Sequence, residues 1–177
     1  MKKIIIGISS SIAAYKACDL IRLFVKSGYS VHPVLTKNAE NLVTPLTLEN
    51  LSGNHVYTDT FAKERRIMGH IELKNGASLL LVAPATANII GKFANGIADD
   101  LLSTTFLSVD CPVVIAPAMN PNMWNHPAVQ ANLKKLKSWG ITIVEPDTGS
   151  VACGDEGKGR LAEIDDIYKA AVNVIKK

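Results

Sequence analysis

The segment "PAMNPNMW" (117–124) combines residue types that suit ligand binding with a place directly after the apolar run 113–116. Its two prolines restrict φ and withhold backbone donors, so we expect a stiff turn with neither helical nor strand periodicity. The segment also has Asn120 and bulky apolar side chains in a position that is normally solvated. This pattern favours contact with a ligand or a partner chain.

A run of three serines, residues 9 to 11, joins the first apolar run to a helical stretch in "GISSSIAAYK" (7–16). A helix N-terminus offers free N–H groups and partial positive charge, which suit a phosphate. A serine there also caps a helix, but one cap accounts for one serine and not three. A dinucleotide site would need Gly-x-Gly-x-x-Gly, whereas this chain has Gly7 alone. We therefore predict a mononucleotide site, with Thr36 as a further hydroxyl contact.

Cys153 lies in the glycine-rich segment "VACGDEGKGR" (151–160), where glycines permit close backbone approach to a ligand. Cys18 and Cys111 occupy positions that suit packing as small apolar residues. Three cysteines at wide spacing without an export signal predict reduced thiols in the cytoplasm. If one cysteine has a chemical role, we expect it to be Cys153.

The histidines and paired aspartates give weaker signals. His70 in "MGHIEL" differs from the others in following the flexible Gly69. The remaining histidines show no ligand spacing to one another or to a cysteine, so no metal site is predicted. Asp99 and Asp100 resemble an acid–base pair, but capping of the following helix is the favoured interpretation.

Apolar runs of strand length alternate with stretches of helical period along the chain. The predicted strands cover 4–8, 31–35, 79–82, 113–116 and 141–144, and the helical stretches cover 12–25, 89–107, 133–139 and 164–175. Continuously apolar strands are typical of a parallel sheet with helices on both faces. We predict one α/β domain over residues 1–177, a doubly wound parallel sheet of Rossmann-like, flavodoxin-like, three-layer type.

Helix-boundary signals agree with this fold. Gly28 and Gly140 are placed to end helices in a left-handed conformation, and Pro127 suits a first helical position. The segments "VAPATAN" (82–88) and "IAPAMN" (115–120) repeat Ala-Pro-Ala directly after a buried strand. Because ligands bind at the carboxyl ends of parallel strands, both segments should border one site.

Composition excludes several classes of protein. A chain of 177 residues with 47% hydrophobic and 20% charged residues is not disordered, and a dispersed net charge of +3 disfavours nucleic-acid binding. No stretch has the length of a membrane span, and Gly7 interrupts the first apolar run before a signal peptide could form. We expect a cytoplasmic protein.

Four ordered motifs resemble the homo-oligomeric flavin-containing cysteine decarboxylases. "PAMNPNMW" matches the Pro-x-Met-Asn-x-x-Met-Trp signature of that family, "APATAN" resembles its flavin-contacting strand end, "MGHIEL" its active-site histidine segment and "ACGD" its cysteine loop. The resemblance runs from Ile4 to about Arg160 and is strongest to the branch that acts in coenzyme A biosynthesis. Where family members usually have Thr-Gly, this chain has Ser9-Ser10.

The resemblance implies a set of functional residues. His70 would be an acid–base residue, Cys153 would deliver a proton, and Asn120 would bind the substrate carboxylate. Flavin mononucleotide (FMN) would be held by the following residues: Ser10, Ser11, Ile12, Thr36, Thr86, Asn88 and Ala118.

The implied reaction is the decarboxylation of 4′-phosphopantothenoylcysteine to 4′-phosphopantetheine. In this family the flavin oxidises the thiol-bearing carbon to a thioaldehyde, so that the carbanion left by CO₂ is stabilised as an enethiolate. Peptidyl-cysteine decarboxylases of the lantibiotic type stop at the enethiol and lack the cysteine, so Cys153 favours the coenzyme A reaction.

Other relatives leave alternatives open. A flavin prenyltransferase shares the fold and cofactor, although the Pro-x-Met-Asn signature and Cys153 disfavour it. A regulatory flavoprotein subunit without catalysis is disfavoured because His70, Asn120 and Cys153 are all present. The resemblance also implies a homotrimer or a dodecamer with flavin at subunit interfaces, and we expect a separate synthetase chain to supply the substrate.

Overall fold

The computed structural model describes residues 1–60, 68–150 and 154–176. Its centre is a five-stranded parallel sheet of β1 (Lys3–Ile8), β2 (Ser30–Leu35), β3 (Ala77–Ala85), β4 (Val113–Pro117) and β5 (Thr142–Ile143). An antiparallel hairpin of β6 (Asp147–Ser150) and β7 (Glu156–Arg160) follows this sheet. The predicted doubly wound parallel architecture is confirmed.

Helices connect the strands. They are α1 (Lys16–Lys26), α2 (Pro45–Ser52), α3 (Gly69–Lys74), α4 (Ala87–Asn95), α5 (Leu101–Ser108), α6 (Pro121–Asn125), α7 (Pro127–Ser138) and α8 (Ile164–Ile175). Two short 3₁₀ helices, Ile12–Tyr15 and Lys37–Asn41, follow β1 and β2. The predicted ends at Gly28 and Gly140 are confirmed, since both have a φ of 83°.

The strand order in the main sheet is β2-β1-β3-β4-β5. The chain leaves β1 toward one edge to form β2 and then returns past β1 to form β3. The direction of winding therefore reverses between β1 and β3, which pair side by side from Lys3↔Ala77 to Gly7↔Val82. In open α/β sheets the crevice beyond such a switch point is the usual ligand site.

Alternating side chains of the strands build two apolar layers. On one face Ile4, Ile6 and Ile8 pack in a cluster with buried residues of α1, α2 and α8. On the other face Ile5 of β1, Leu80 of β3 and Ile115 of β4 pack with buried residues of α3, α4, α5 and α7. Both layers are buried, which explains why the strands are apolar throughout.

Two local predictions were wrong, and one element was missed. The helical stretch 89–107 consists of two helices, because Gly96 adopts a φ of 67° after α4 and Asp100 caps a new helix, α5. The segment 117–124 is not turn alone, since Pro117 ends β4 and Pro121 begins the short helix α6. The hairpin β6–β7 was not predicted, because its strands are polar and rich in glycine.

Within the described ranges, no helix combines the length and the apolar character that crossing a bilayer requires.

Candidate functional site

The carboxyl ends of β1, β3 and β4 border a cavity of about 630 Å³, called the central cavity below. It lies at the switch point of the sheet, where a ligand crevice is expected. Six of the predicted site residues line it: Ser10, Ser11, Ile12, Thr86, Ala118 and Asn120. The structure thus brings together residues that are more than 100 positions apart in the chain.

A smaller recess of about 150 Å³ adjoins the central cavity, and Ser10 and Thr86 line both. The recess also contains Thr36 and Asn88, the two other predicted FMN contacts. All seven residues predicted to hold FMN therefore lie in two neighbouring spaces. Lys92, which the sequence analysis did not single out, lies in the wall of the recess.

Ser9 has a different role from the other serines. Its side chain is only 2% exposed. Its hydroxyl donates to the Pro84 carbonyl oxygen at 2.8 Å and accepts from the Thr86 backbone N–H at 2.9 Å. Ser9 thereby fastens the loop after β1 to the loop after β3, and it also lies in the wall of the recess.

Ser11 and Thr86 cap the helical segments that begin at the cavity. Ser11 Oγ accepts from the Ala13 N–H at 3.3 Å, and Thr86 Oγ1 accepts from the Ile89 N–H at 3.4 Å. The two hydroxyls thus lie where the N-termini of the 3₁₀ helix and of α4 face the cavity. Capping and anion binding both use the free backbone N–H groups at these helix N-termini.

The hairpin closes one side of the central cavity by lying close against residues 119–121. The Met119 N–H donates to the Gly159 carbonyl oxygen at 2.9 Å. A Cβ at Gly159 would lie 2.3 Å from the Met119 carbonyl oxygen, and one at Gly157 would lie 2.9 Å from Pro121 Cβ. Both positions therefore require glycine, because a larger residue would collide with the segment 119–121.

Asn120 lies at the edge of the cavity with its amide held at both ends. Its Oδ1 accepts from the Asn122 N–H at 2.8 Å and so caps α6. Its Nδ2 donates to Asp155 Oδ2 at 2.5 Å. Sequence reasoning found Asn120 but missed Asp155, although the "ACGD" motif contains it.

The two predicted catalytic residues are placed differently. His70 lies on α3, which packs against α5, and it lines neither cavity. Its Nδ1 is buried and has no hydrogen-bond partner in the described part of the chain. Cys153 lies outside the described residues, so its predicted role stays a prediction.

A charged cluster closes the recess on the side of α5. Lys92 Nζ lies 2.6 Å from both Asp99 Oδ1 and Asp100 Oδ2. Burial by itself would raise the pKa of the Asp100 carboxyl, but hydrogen bonds from Lys92 and Ser103 outweigh it and hold that pKa below its usual range. Asp100 also accepts from the Ser103 N–H at 2.8 Å, which confirms its predicted capping role.

The two described cysteines line neither cavity. Cys18 and Cys111 are free thiols packed against the two apolar layers, and burial raises the pKa of both. Over residues 1–60, 68–150 and 154–176, no group of three or more His, Cys, Asp or Glu side chains is arranged to hold a metal ion.

The chain is 47% identical over 171 residues to the coenzyme A biosynthesis bifunctional protein CoaBC of Bacillus subtilis (strain 168), an alignment that covers 96% of this chain and 42% of that protein. The chain thus spans less than half the length of the curated relative.

Two solved structures have the same fold over nearly the whole chain. One is a PPC decarboxylase cysteine-to-serine mutant complexed with pantothenoylaminoethenethiol, with a TM-score of 0.83, 33% identity and coverage of 94% of both chains. The other is the FMN-dependent cysteine decarboxylase SpaF, with a TM-score of 0.84 and 31% identity over 99% of this chain and 97% of that chain.

The Flavoprotein family matches residues 1–176, which is nearly the full length of the chain. The switch-point cavity, its hydroxyl-bearing loops and this match agree, and the chain belongs to the Flavoprotein family.

Proposed function

We propose that this protein is an FMN-dependent decarboxylase that converts 4′-phosphopantothenoylcysteine into 4′-phosphopantetheine and CO₂ in coenzyme A biosynthesis. The observation that carries the proposal is the central cavity, which five of the seven predicted FMN contacts line together with Asn120. The relatives support the reaction, since one is named for coenzyme A biosynthesis and one is a PPC decarboxylase.

The residues of the site fit a flavin. The cavity volume of about 630 Å³ is in the range of cofactor sites. Ile12, Ala87 and Ala118 give its walls apolar surface for a flat ring, while Ser10 and Ser11 provide hydroxyls near helical N-termini for a phosphate. Thr36 and Asn88 extend this polar end into the recess.

Three side chains of the protein would then bind the substrate and move protons. Bound flavin supplies the chemistry of accepting a hydride from the thiol-bearing carbon and returning it later. Asn120 would donate a hydrogen bond to the departing carboxylate, His70 would act as an acid–base residue, and Cys153 would donate a proton in the last step. The relative solved with an enethiol ligand is a cysteine-to-serine mutant, which supports a proton-donor role for a cysteine.

We propose a homo-oligomer in which the site is shared between subunits. Ile12 and Tyr15 line the central cavity yet are 62% and 60% exposed, and Met123 beside them is 47% exposed. Apolar side chains at a cavity edge favour a second copy as a further wall. His70, which lines neither cavity of its own chain, would then act in the site of a neighbouring copy.

The second candidate function is a peptidyl-cysteine decarboxylase. The fold match to SpaF, an FMN-dependent cysteine decarboxylase, favours keeping this candidate. It differs in substrate, which would be a peptide with a C-terminal cysteine, and in its oxidised enethiol product.

The test is a substrate comparison with flavin-loaded protein. We expect CO₂ release from 4′-phosphopantothenoylcysteine and none from peptides that end in cysteine. Release from the peptides alone would support the second candidate, and a protein that binds no flavin would contradict both.

A separate synthetase chain that supplies the substrate stays a prediction, which co-purification of the two proteins would test.

A further inference from the structure

Asp155 occupies a special position on the hairpin. Alternate residues 155, 157 and 159 all contact the segment 119–121: Asp155 meets Asn120, Gly157 meets Pro121 and Gly159 meets Met119. At the two glycine positions, a Cβ would fall 2.9 Å and 2.3 Å from its neighbour. Among these three residues, Asp155 is the one with a side chain, and its carboxylate contacts Asn120 in the segment 119–121.

The hydrogen bonds of Asn120 leave its amide one favourable orientation. Oδ1 faces the N–H of Asn122, and Nδ2 faces the carboxylate of Asp155. A flipped amide would place a donor against the N–H donor and an acceptor against the carboxylate acceptor. A charge-assisted hydrogen bond is also among the stronger ones, so Asp155 strongly constrains the donor end of the amide.

We propose that Asp155 is a positioning residue that fixes the Asn120 amide with Nδ2 as the donor for a ligand carboxylate. The inference rests on the proposed function, because the orientation matters for a substrate that carries a carboxylate. Without Asp155 the amide loses the acceptor that holds Nδ2, and the Asn122 N–H remains on Oδ1. A larger fraction of the amide would then present its carbonyl oxygen to the substrate carboxylate, which would repel it.

The test compares two ligands that differ in that carboxylate. KM for 4′-phosphopantothenoylcysteine and the inhibition constant for 4′-phosphopantetheine are measured on flavin-loaded protein. Asp155→Ala should raise the KM about tenfold while changing the inhibition constant by less than about twofold, since one oriented hydrogen bond is lost. Asp155→Asn, whose side-chain oxygen can still accept from Nδ2, should restore much of the affinity.

Glu156→Ala is the matched control, because it removes the same charge from the next residue, whose side chain does not share the Asp155 face. Equal losses for both ligands in Asp155→Ala, an unchanged KM, or the same effect in Glu156→Ala would each overturn the inference. Wild-type protein without CO₂ release would contradict the proposed function instead. Calorimetric affinities for the same two compounds would then still decide the role of Asp155.

Discussion

Ser9 and Ser10 are neighbours of the same type with opposite environments. Ser9 is buried, borders the recess and ties two backbone segments together, whereas Ser10 is exposed and lines both the recess and the central cavity. The sequence could predict that hydroxyls gather at the end of β1, but it could not assign them, because the partner groups at Pro84 and Thr86 come from a distant strand. The same applies to Asp155, whose partner Asn120 lies 35 positions away.

Ser9→Ala should destabilise the fold, because both hydrogen bonds of its hydroxyl are to the protein backbone. The change removes the hydroxyl partner of the Thr86 N–H and one hydrogen bond to the Pro84 oxygen, at a cost of about 2 kcal/mol in the free energy of unfolding. Urea unfolding of the flavin-free protein measures this cost. Ser10→Ala should instead leave the free energy of unfolding nearly unchanged and weaken FMN binding, and equal destabilisation by both variants would contradict the distinction.

At the scale of elements, long apolar patterns were predictable and short polar ones were not. The strands β1 to β4 and the helices α1, α7 and α8 have strong periodicity, so the sequence indicated them. Helix α6 has only five residues, and the hairpin is held by close glycine contacts rather than by an apolar stripe. Elements that depend on tertiary contacts leave a weak local pattern.

Asp100→Ala tests the start of α5. The variant loses the cap on Ser103 and the ion pair with Lys92, which should lower the free energy of unfolding by about 1–2 kcal/mol at pH 7. The pKa of Asp100 is lower in the folded than in the unfolded protein. The ionised carboxylate therefore contributes fully to the free energy of unfolding above the unfolded pKa of about 3.9, and this contribution disappears as pH falls through the folded pKa.

Urea unfolding should therefore show a difference in the free energy of unfolding between wild type and Asp100→Ala at pH 7, and this difference should narrow below about pH 4. Asp99→Ala is the matched control, since Asp99 also contacts Lys92 but is 61% exposed and caps no described helix. A gap for Asp99→Ala as large as that for Asp100→Ala would contradict the capping account.

Gly159→Ala tests the close contact between hairpin and cavity. Its Cβ would lie 2.3 Å from the Met119 carbonyl oxygen, so the hairpin must move and the cavity must change shape. We expect a loss of about 1–3 kcal/mol in the free energy of unfolding together with weaker FMN binding. Gly149→Ala is the control at a similar φ, because its nearest neighbour would be 3.6 Å away, and equal effects would contradict the steric argument.

At the scale of the whole molecule, the order of strands determines where the site lies. The continuous apolar runs predicted a parallel sheet, which is confirmed. The two Ala-Pro-Ala segments border one cavity, and their role in ligand binding stays a prediction. The sequence could not show that β1 and β3 are neighbours, since that follows from the crossover past β1. It also could not show that His70 lies apart from the cavity lining.

The proposed shared site predicts complementation between inactive variants. His70→Asn and Asn120→Ala should each lose decarboxylation as homo-oligomers. Mixed oligomers, formed by co-expressing the two variants, should contain some sites with both intact residues and should recover part of the activity. Sedimentation velocity of each variant would confirm that assembly is unchanged, and mixed oligomers without activity would contradict a shared site.

The central claim is decarboxylation with no net oxidation of the substrate. The most direct test incubates flavin-loaded protein with 4′-phosphopantothenoylcysteine under anaerobic conditions without an added oxidant and identifies the product by mass spectrometry. We predict 4′-phosphopantetheine from the wild type over many turnovers, and an oxidised enethiol that accumulates to no more than about one equivalent of flavin from Cys153→Ser. Unreacted substrate with the wild type, or complete turnover to 4′-phosphopantetheine by Cys153→Ser, would contradict the account.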